Sequence, residues 1–105
     1  MPDYLHYPDL LSEIRDIPPE SIVSRTFFQD ERVRIILFGF AAGQELSEHT
    51  SSKSAILHIL KGEARLKLGQ DEFDAKAGAW AHMPPNLPHS ILAKTPLIML
   101  LTLFE

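Results

Sequence analysis

Five histidines are the residues of this sequence best suited to chemistry: His6, His49, His58, His82 and His89. Imidazole is the commonest metal ligand in proteins and the commonest acid or base in catalysis. The sequence contains no cysteine, which excludes disulfides and thiolate metal sites. Any bound metal must therefore use imidazole or oxygen ligands. The histidines form no HExxH motif, and the chain has no P-loop and no GxSxG motif.

Charge and hydropathy argue against two classes of partner. The formal net charge is −4, and the lysines and arginines are scattered instead of clustered, so we expect no nucleic-acid partner. The start "MPDYLHYPDL" lacks the basic and apolar regions of a signal peptide. The longest apolar run, "PLIMLLTLF", is too short to span a bilayer as a helix. We therefore expect a cytoplasmic protein with no membrane partner.

Frequent turn residues divide the chain into short elements. Eight prolines and five glycines leave segments that favour strands, rich in β-branched and aromatic residues. The one helical candidate is "PDLLSEIRD", which ends before Pro18 and Pro19. Residues 1–20 are thus predicted to form a short helical or irregular segment that packs on a barrel domain of residues 21–105. Eight or nine short strands predict a single-domain, all-β sandwich or barrel of antiparallel strands.

Two strand patterns indicate which surfaces are covered. "EARLKL" alternates, with Ala64, Leu66 and Leu68 on one face and charged residues on the other, as in a strand with one exposed face. "LIMLLTLF" is apolar on both faces, so both must be covered. The cover on the outer face is either a second subunit or the N-terminal segment, and both can contribute. We expect a homodimer.

The frame around two histidines carries a family resemblance. "GQELSEH" has five residues between Gly43 and His49, and Gly62 follows after a strand. "GAWAHMPPNLPH" has five residues between Gly78 and Pro84 and ends at His89. This spacing resembles the paired motifs of the cupin family, which are small jelly-roll barrels, and it covers residues 43–93. The resemblance implies a single-domain cupin jelly-roll barrel.

The resemblance also implies a metal site. In cupins two histidines and a glutamate of the first motif and one histidine of the second bind a divalent metal. This assigns His49 and His89 as candidate ligands, with iron, zinc, manganese or nickel as the candidate metals. Ser51 stands at the second histidine and Ala55 at the glutamate, while Asn86 and Ala93 replace the glycine and asparagine of the second motif.

Three further residues are candidate ligands. Ser51 shares a strand face with His49 and could hold a bound water. His58 and His82 are predicted on the outer face beside Trp80, but a register shift of one residue would turn either of them inward. Glu48 is expected on the face opposite His49. Glu45 is expected on the same face, roughly 13 Å along the strand.

The ligand pocket is predicted inside the barrel, between His49 and His89. Its wall is expected to be mainly apolar, from Val33, Ile35, Leu37, Leu57, Ile59 and Met83.

The first hypothesis for the function is a small-molecule-binding protein, with or without a weakly held divalent metal. The alternative is a metal-dependent dioxygenase or isomerase that uses His49, His89 and a third, unidentified ligand. A third is a partner-binding role through the outer face around Trp80. Whether the chain is an enzyme stays open at this point.

Overall fold

The computed structural model describes residues 3–105, and almost all of their regular structure is β-strand. A 3₁₀ turn at Leu10–Glu13 precedes nine strands. In chain order they are β1 (Ile22–Gln29), β2 (Val33–Phe40), β3 (Glu45–His49), β4 (Ala55–Lys61), β5 (Glu63–Leu68), β6 (Asp71–Lys76), β7 (Trp80–Met83), β8 (His89–Ala93) and β9 (Leu97–Phe104). The predicted all-β class and strand number are confirmed. Within residues 3–105 there is no helix with the length and apolarity needed to cross a membrane.

The strands form two antiparallel sheets around one core. One sheet has the order β1-β2-β9-β4-β7 and the other has the order β3-β8-β5-β6. Fully buried side chains from both sheets meet between them, including Leu57, Ile59, Ile91 and Met99. This arrangement confirms the predicted cupin-type jelly-roll barrel.

Strand β5 follows the predicted alternation. Ala64 and Leu66 are buried, while Arg65 and Lys67 point outward and form ion pairs with carboxylates of β6 and β3, respectively. The β5–β6 hairpin turns at Gly69, whose φ of +62° lies in the left-handed region that glycine adopts without cost. Gly69 and Gln70 therefore form the turn between β5 and β6.

The predicted inward face of β2 was wrong. Leu37 is the register partner of Leu100, whereas Ile36 is the partner of Leu101, which also pairs with the core residue Leu57. Because register partners share a face, Ile36, Phe38 and Phe40 point inward and Val33, Ile35 and Leu37 point outward. Residues of β2 are apolar on both faces, so alternation in the sequence could not identify the inner one.

The outer face of β2 is partly covered by residues before β1. A Cβ atom at Gly39 would lie 2.9 Å from side-chain carbons of Ile14 and Ile17, which shows how closely these residues pack. Tyr7 contacts Phe27 edge-on at 5.1 Å between ring centroids. Residues 1 and 2 of the predicted 1–20 segment lie outside the described residues. The division into that segment and a 21–105 domain stays a prediction.

Candidate functional site

Neighbouring strands bring His49 and His89 together at one end of the four-stranded sheet. His49 ends β3, His89 begins β8, and the two residues are register partners. Leu46 pairs with Ile91, so the ladder contains an irregularity between Leu46 and His49. An extra residue in a strand changes which side chains share a face.

That irregularity corrects the expectation for Glu45. Leu46, and not Glu45, lies on the inner side with His49, and Leu46 packs against the core. Glu48 points outward as expected, since its carboxylate lies 3.3 Å from the ammonium group of Lys67. Neither carboxylate reaches the two imidazoles.

Both imidazole rings are oriented by backbone carbonyl groups. The ring centroids of His49 and His89 are 4.1 Å apart, with 56° between the ring planes. Nδ1 of His49 is 2.7 Å from the carbonyl oxygen of Ser47, and Nδ1 of His89 is 2.9 Å from that of Leu87. A carbonyl oxygen only accepts hydrogen bonds, so each Nδ1 donates its proton to it. Each neutral ring therefore has an unprotonated Nε2 that can accept a hydrogen bond or bind a metal.

The two histidines differ in their exposure to solvent. His49 is exposed, whereas His89 is 7% exposed and is the one buried ionisable residue among residues 3–105. Burial lowers the pKa of His89 below its ordinary value, since burial disfavours the charged form. The charge of His49 acts in the same direction, while the carbonyl group of Leu87 acts against both. The structure therefore favours His89 as a neutral acceptor.

A cavity of about 210 Å³ adjoins both rings. Its polar lining comes from His49, His89, Ser51 and Lys53. The remaining six of the ten lining residues are apolar: Ala55, Met83, Pro84, Leu87, Leu101 and Leu103. A mainly apolar wall with a few convergent polar groups is typical of small-molecule sites.

Two loops meet at the mouth of this cavity. The amide of Asn86 donates a hydrogen bond of 2.7 Å to the carbonyl oxygen of Ser51, which joins the β7–β8 loop to the β3–β4 loop. The hydroxyl oxygen of Ser51 accepts a hydrogen bond from the amide of Lys53 at 3.1 Å. Ser51 therefore lies at the cavity, after the end of β3, with its hydroxyl already engaged by the backbone.

Comparison with family models supplies the decisive match. The model described as a cupin domain matches residues 36–103, which include β4 to β8 and both histidines. The chain belongs to the cupin domain family. No curated protein matches this cupin in a sequence search.

Solved structures with this fold include small proteins of similar length. A conserved protein of unknown function from Streptococcus pyogenes is 29% identical with a TM-score of 0.85, and the match covers 98% of this cupin and 90% of that chain. A cupin superfamily protein from Desulfitobacterium hafniense is 26% identical, with a TM-score of 0.85 and coverage of 96% and 93%. An RmlC-like cupin from Desulfovibrio desulfuricans is 27% identical, with a TM-score of 0.84 and coverage of 96% and 97%.

The cupin departs from its family pattern without losing the backbone geometry. Asn86 stands where the family has glycine and has a φ of +68°, a conformation that asparagine tolerates better than most residues. Ala55 stands at the glutamate position and lines the cavity with a methyl group. The frame of the site is thus retained, while two of its four metal ligands are absent.

The described side chains do not complete a metal site. Within residues 3–105, no three His, Asp or Glu side chains lie close enough to share an ion. His49 and His89 offer two nitrogen atoms, whereas functional sites usually have at least three protein ligands. This donor set does not fit a tightly held resident metal.

His58 and His82 lie outside the barrel. His58 is the register partner of Trp80, and His82 is the partner of Ile56, while Leu57 and Ala81 between them point inward. Trp80 is 59% exposed. The structure places both histidines on the predicted outer face and does not bring either to the cavity. His6 is exposed near the N-terminus.

Sequence reasoning missed four cavity residues. Leu101 and Leu103 belong to β9, whose residues are apolar on both faces, so its pattern does not indicate which side chains point inward. Leu87 and Lys53 lie in the two loops of the mouth. The sequence signal for these two residues was their position in the motifs: Leu87 is close to His89, and Lys53 is close to Ser51.

Proposed function

We propose that this cupin binds a small molecule in the cavity between His49 and His89. The observation that carries the proposal is the convergence of two imidazole rings, each bonded through Nδ1 to a backbone carbonyl group, on an otherwise mainly apolar cavity. A larger depression of about 510 Å³ lies beside Arg25, but its lining contains no imidazole.

The arrangement fits ligands with both polar and apolar parts. The two Nε2 atoms accept hydrogen bonds, so they would orient a hydroxyl or amino group of the ligand. The wall formed by Met83, Leu101 and Leu103 would bury its apolar part. Directional polar contacts would give orientation, and apolar burial would give most of the affinity.

The test is a fragment screen followed by amide chemical-shift mapping on the ¹⁵N-labelled protein. Fragments that bind should shift resonances around the cavity, and His49→Ala should weaken their binding. His58→Ala and His82→Ala are matched controls, since they remove histidines of the outer face. Fragments whose shifts map to the outer face, or whose affinity survives His49→Ala, would contradict the proposal.

A second candidate is a labile divalent metal ion, namely iron, zinc, manganese or nickel. One observation favours it: metal-binding histidines commonly donate their second ring N–H to a carbonyl or carboxylate, as His49 and His89 do to carbonyl oxygens. Water or the bound molecule would supply the other ligands. A metal-dependent dioxygenase or isomerase would need a third ligand from such a source.

Metal analysis of protein purified without a His-tag separates the two candidates. Equilibrium dialysis against each of the four metals, without desalting, should show one ion retained per chain if the site holds one. His49→Ala and His89→Ala should then abolish retention. Absence of retained metal in the unmodified protein, with correct folding by circular dichroism, would sink the metal-dependent alternative.

A further inference from the structure

We infer that a groove between the N-terminal segment and the five-stranded sheet binds an aliphatic carboxylate, that is, a fatty-acid anion. This N-terminal groove has a volume of about 430 Å³. Two cations, Arg15 and Lys61, line it together with five apolar residues: Leu11, Ile14, Ile17, Pro96 and Ile98. None of them lines the cavity of His49 and His89, so this inference does not depend on the proposed function.

The N-terminal groove forms where the chain before β1 is seated on the outer face of the sheet. Ile14 and Ile17 approach the sheet at Gly39, which has no side chain to keep them away. Ile98 is the register partner of Gly39 on one side and of Lys61 on the other, so it lies between the segment and the lysine. Leu11 remains 38% exposed, which leaves apolar surface open to a ligand.

The lining of the groove carries one sign of charge. Its charged residues are Arg15 and Lys61, and no aspartate or glutamate is among the lining residues. Within residues 3–105 neither cation forms an ion pair. The cations that do form ion pairs are Arg25, Lys53, Arg65, Lys67 and Lys94. Because acidic residues outnumber basic ones by 14 to 10, the chain as a whole repels an anion, whereas this groove attracts it.

The carboxylates nearest in sequence line other depressions. Glu13 and Asp16 line the depression beside Arg25, and Glu13 forms an ion pair with Arg25. Arg15 lies on the rim that this depression shares with the N-terminal groove, and no ion pair joins it to Asp16. Glu63, close to Lys61 in sequence, lines a third depression. The positive charge of the groove is therefore available to an external carboxylate.

The backbone orients the guanidinium group of Arg15. Its Nε donates a hydrogen bond of 3.2 Å to the carbonyl oxygen of Ser12, which leaves the two Nη groups for another acceptor. Guanidinium N–H groups are well suited to carboxylate oxygens, and the ammonium group of Lys61 adds a compact charge. Because both side chains belong to exposed residues, water screens these contacts and each contributes modestly to binding.

The apolar lining determines the rest of the ligand. The five apolar residues are aliphatic, and no aromatic, hydroxyl or amide side chain lines the groove. A polar body would lose its hydration there without gaining hydrogen bonds, whereas an aliphatic chain gains free energy from burial. An aliphatic chain that ends in a carboxylate matches both the apolar lining and the two cations.

The test compares three compounds of equal chain length by amide chemical-shift titration of the ¹⁵N-labelled protein near neutral pH: octanoate, octanamide and octylammonium. Octanoate should shift the resonances of Leu11, Lys61 and Ile98. It should bind more tightly than octanamide by a factor of about two to five, the range for an exposed ion pair. Octylammonium should bind more weakly than octanamide, since its charge has the sign of the groove. Butanoate should bind more weakly than octanoate, because it buries a shorter chain.

Variants separate the charged from the apolar contribution. The double variant Arg15→Gln with Lys61→Gln should remove the preference for octanoate and leave the affinity for octanamide unchanged. Leu11→Ser should weaken both compounds, since it removes exposed apolar lining. Lys76→Gln is the matched control: Lys76 is an exposed cation at the end of β6 and does not line the groove. It should change neither affinity.

Four results would overturn the inference. Equal binding of octanoate and octanamide would show that the two cations do not select an anion. Loss of the preference in Lys76→Gln as well would assign it to the overall charge of the chain. Octanoate shifts confined to the cavity of His49 and His89 would place the compound at the other site. Groove resonances that shift on dilution of the protein alone would show that a second copy of the chain occupies the groove.

Discussion

His49 and His89 are register partners whose Nδ1 atoms each lie within hydrogen-bonding distance of the carbonyl oxygen two residues earlier in the chain. The same local hydrogen bond therefore orients both rings, although His49 ends a strand and His89 begins one. The consequence is chemical: both rings line the same cavity with Nδ1 engaged by the backbone, which leaves Nε2 as the ring nitrogen available to a ligand. This holds whether the cavity takes an organic ligand alone or a ligand with a metal ion.

Burial of His89 predicts a loss of stability on acidification. Its pKa is lowered in the folded state, chiefly by burial, so the unfolded chain binds the proton more readily. The free energy of unfolding should be constant above the unfolded pKa of about 6.5. It should fall as the pH drops from there to the folded pKa, and then level off.

The measurement is urea denaturation across this pH range in the presence of a chelator. His89→Gln should flatten the pH dependence, since glutamine does not titrate. His6→Gln, at an exposed position near the N-terminus, is the control and should leave the slope as it is. An unchanged slope in His89→Gln would show that another group causes the acid sensitivity.

The fold could be predicted from the sequence because its signals are local: prolines and glycines mark the turns, and some of these glycines belong to the two motifs. Gly62 shows this: its φ of +91° and the Pro96 carbonyl at its α-carbon leave room only for glycine. Which side chains of a strand point inward was harder to predict. Val33 to Phe40 is apolar on both sides, since Ile14 and Ile17 cover part of the outer one, and the irregularity before His49 has no signal in the sequence.

The two histidines of the candidate site could be predicted from the sequence, whereas the contribution of β9 and of Lys53 to the cavity wall could not. His49 and His89 lie in a spaced motif, so the sequence alone brought them together. The contribution of Leu101 and Leu103 depends on the register of β9 with its neighbours, which is a tertiary property. Lys53 stands in a loop whose path is fixed by the bond between Ser51 and Asn86.

Gly62 should be far less tolerant of substitution than Gly43. Both have positive φ, but a Cβ at Gly62 would overlap the carbonyl oxygen of Pro96, while nothing lies within 4 Å of one at Gly43. Gly43→Ala should cost about 1–2 kcal/mol, the penalty of the left-handed conformation alone. Gly62→Ala should cost about 3 kcal/mol or more, because backbone must also move. Equal losses in thermal or urea denaturation would refute the steric account.

Asn86 should be replaceable by glycine and not by alanine. Its φ of +68° suits asparagine or glycine, and its amide still donates to Ser51 in either variant. Asn86→Ala should lower the free energy of unfolding by about 1 kcal/mol, whereas Asn86→Gly should stay within about 0.5 kcal/mol of the parent. If both variants lose the same stability, the asparagine side chain matters more than its backbone conformation.

The outer face of the five-stranded sheet predicts a homodimer. Thr102 lies between its register partners Ile35 and Ile56 on that face, and exposed aromatic side chains, Trp80 and Phe104, lie on the same side. Ile14 and Ile17 pack at Gly39, whose register partner is Ile98, several residues along β9 from Thr102. Exposed aromatic side chains beside the partly exposed Ile35 and Ile56 are typical of a subunit interface, and His58 and His82 share this face.

Sedimentation at micromolar concentration should therefore give the mass of a dimer. Thr102→Arg should shift it to the monomer, since a charge at the centre of an apolar interface is left without a partner. Gln70→Arg, in the exposed β5–β6 turn, is the control and should remain dimeric. A monomeric parent protein would refute the dimer, and a dimeric Thr102→Arg variant would move the interface to another surface.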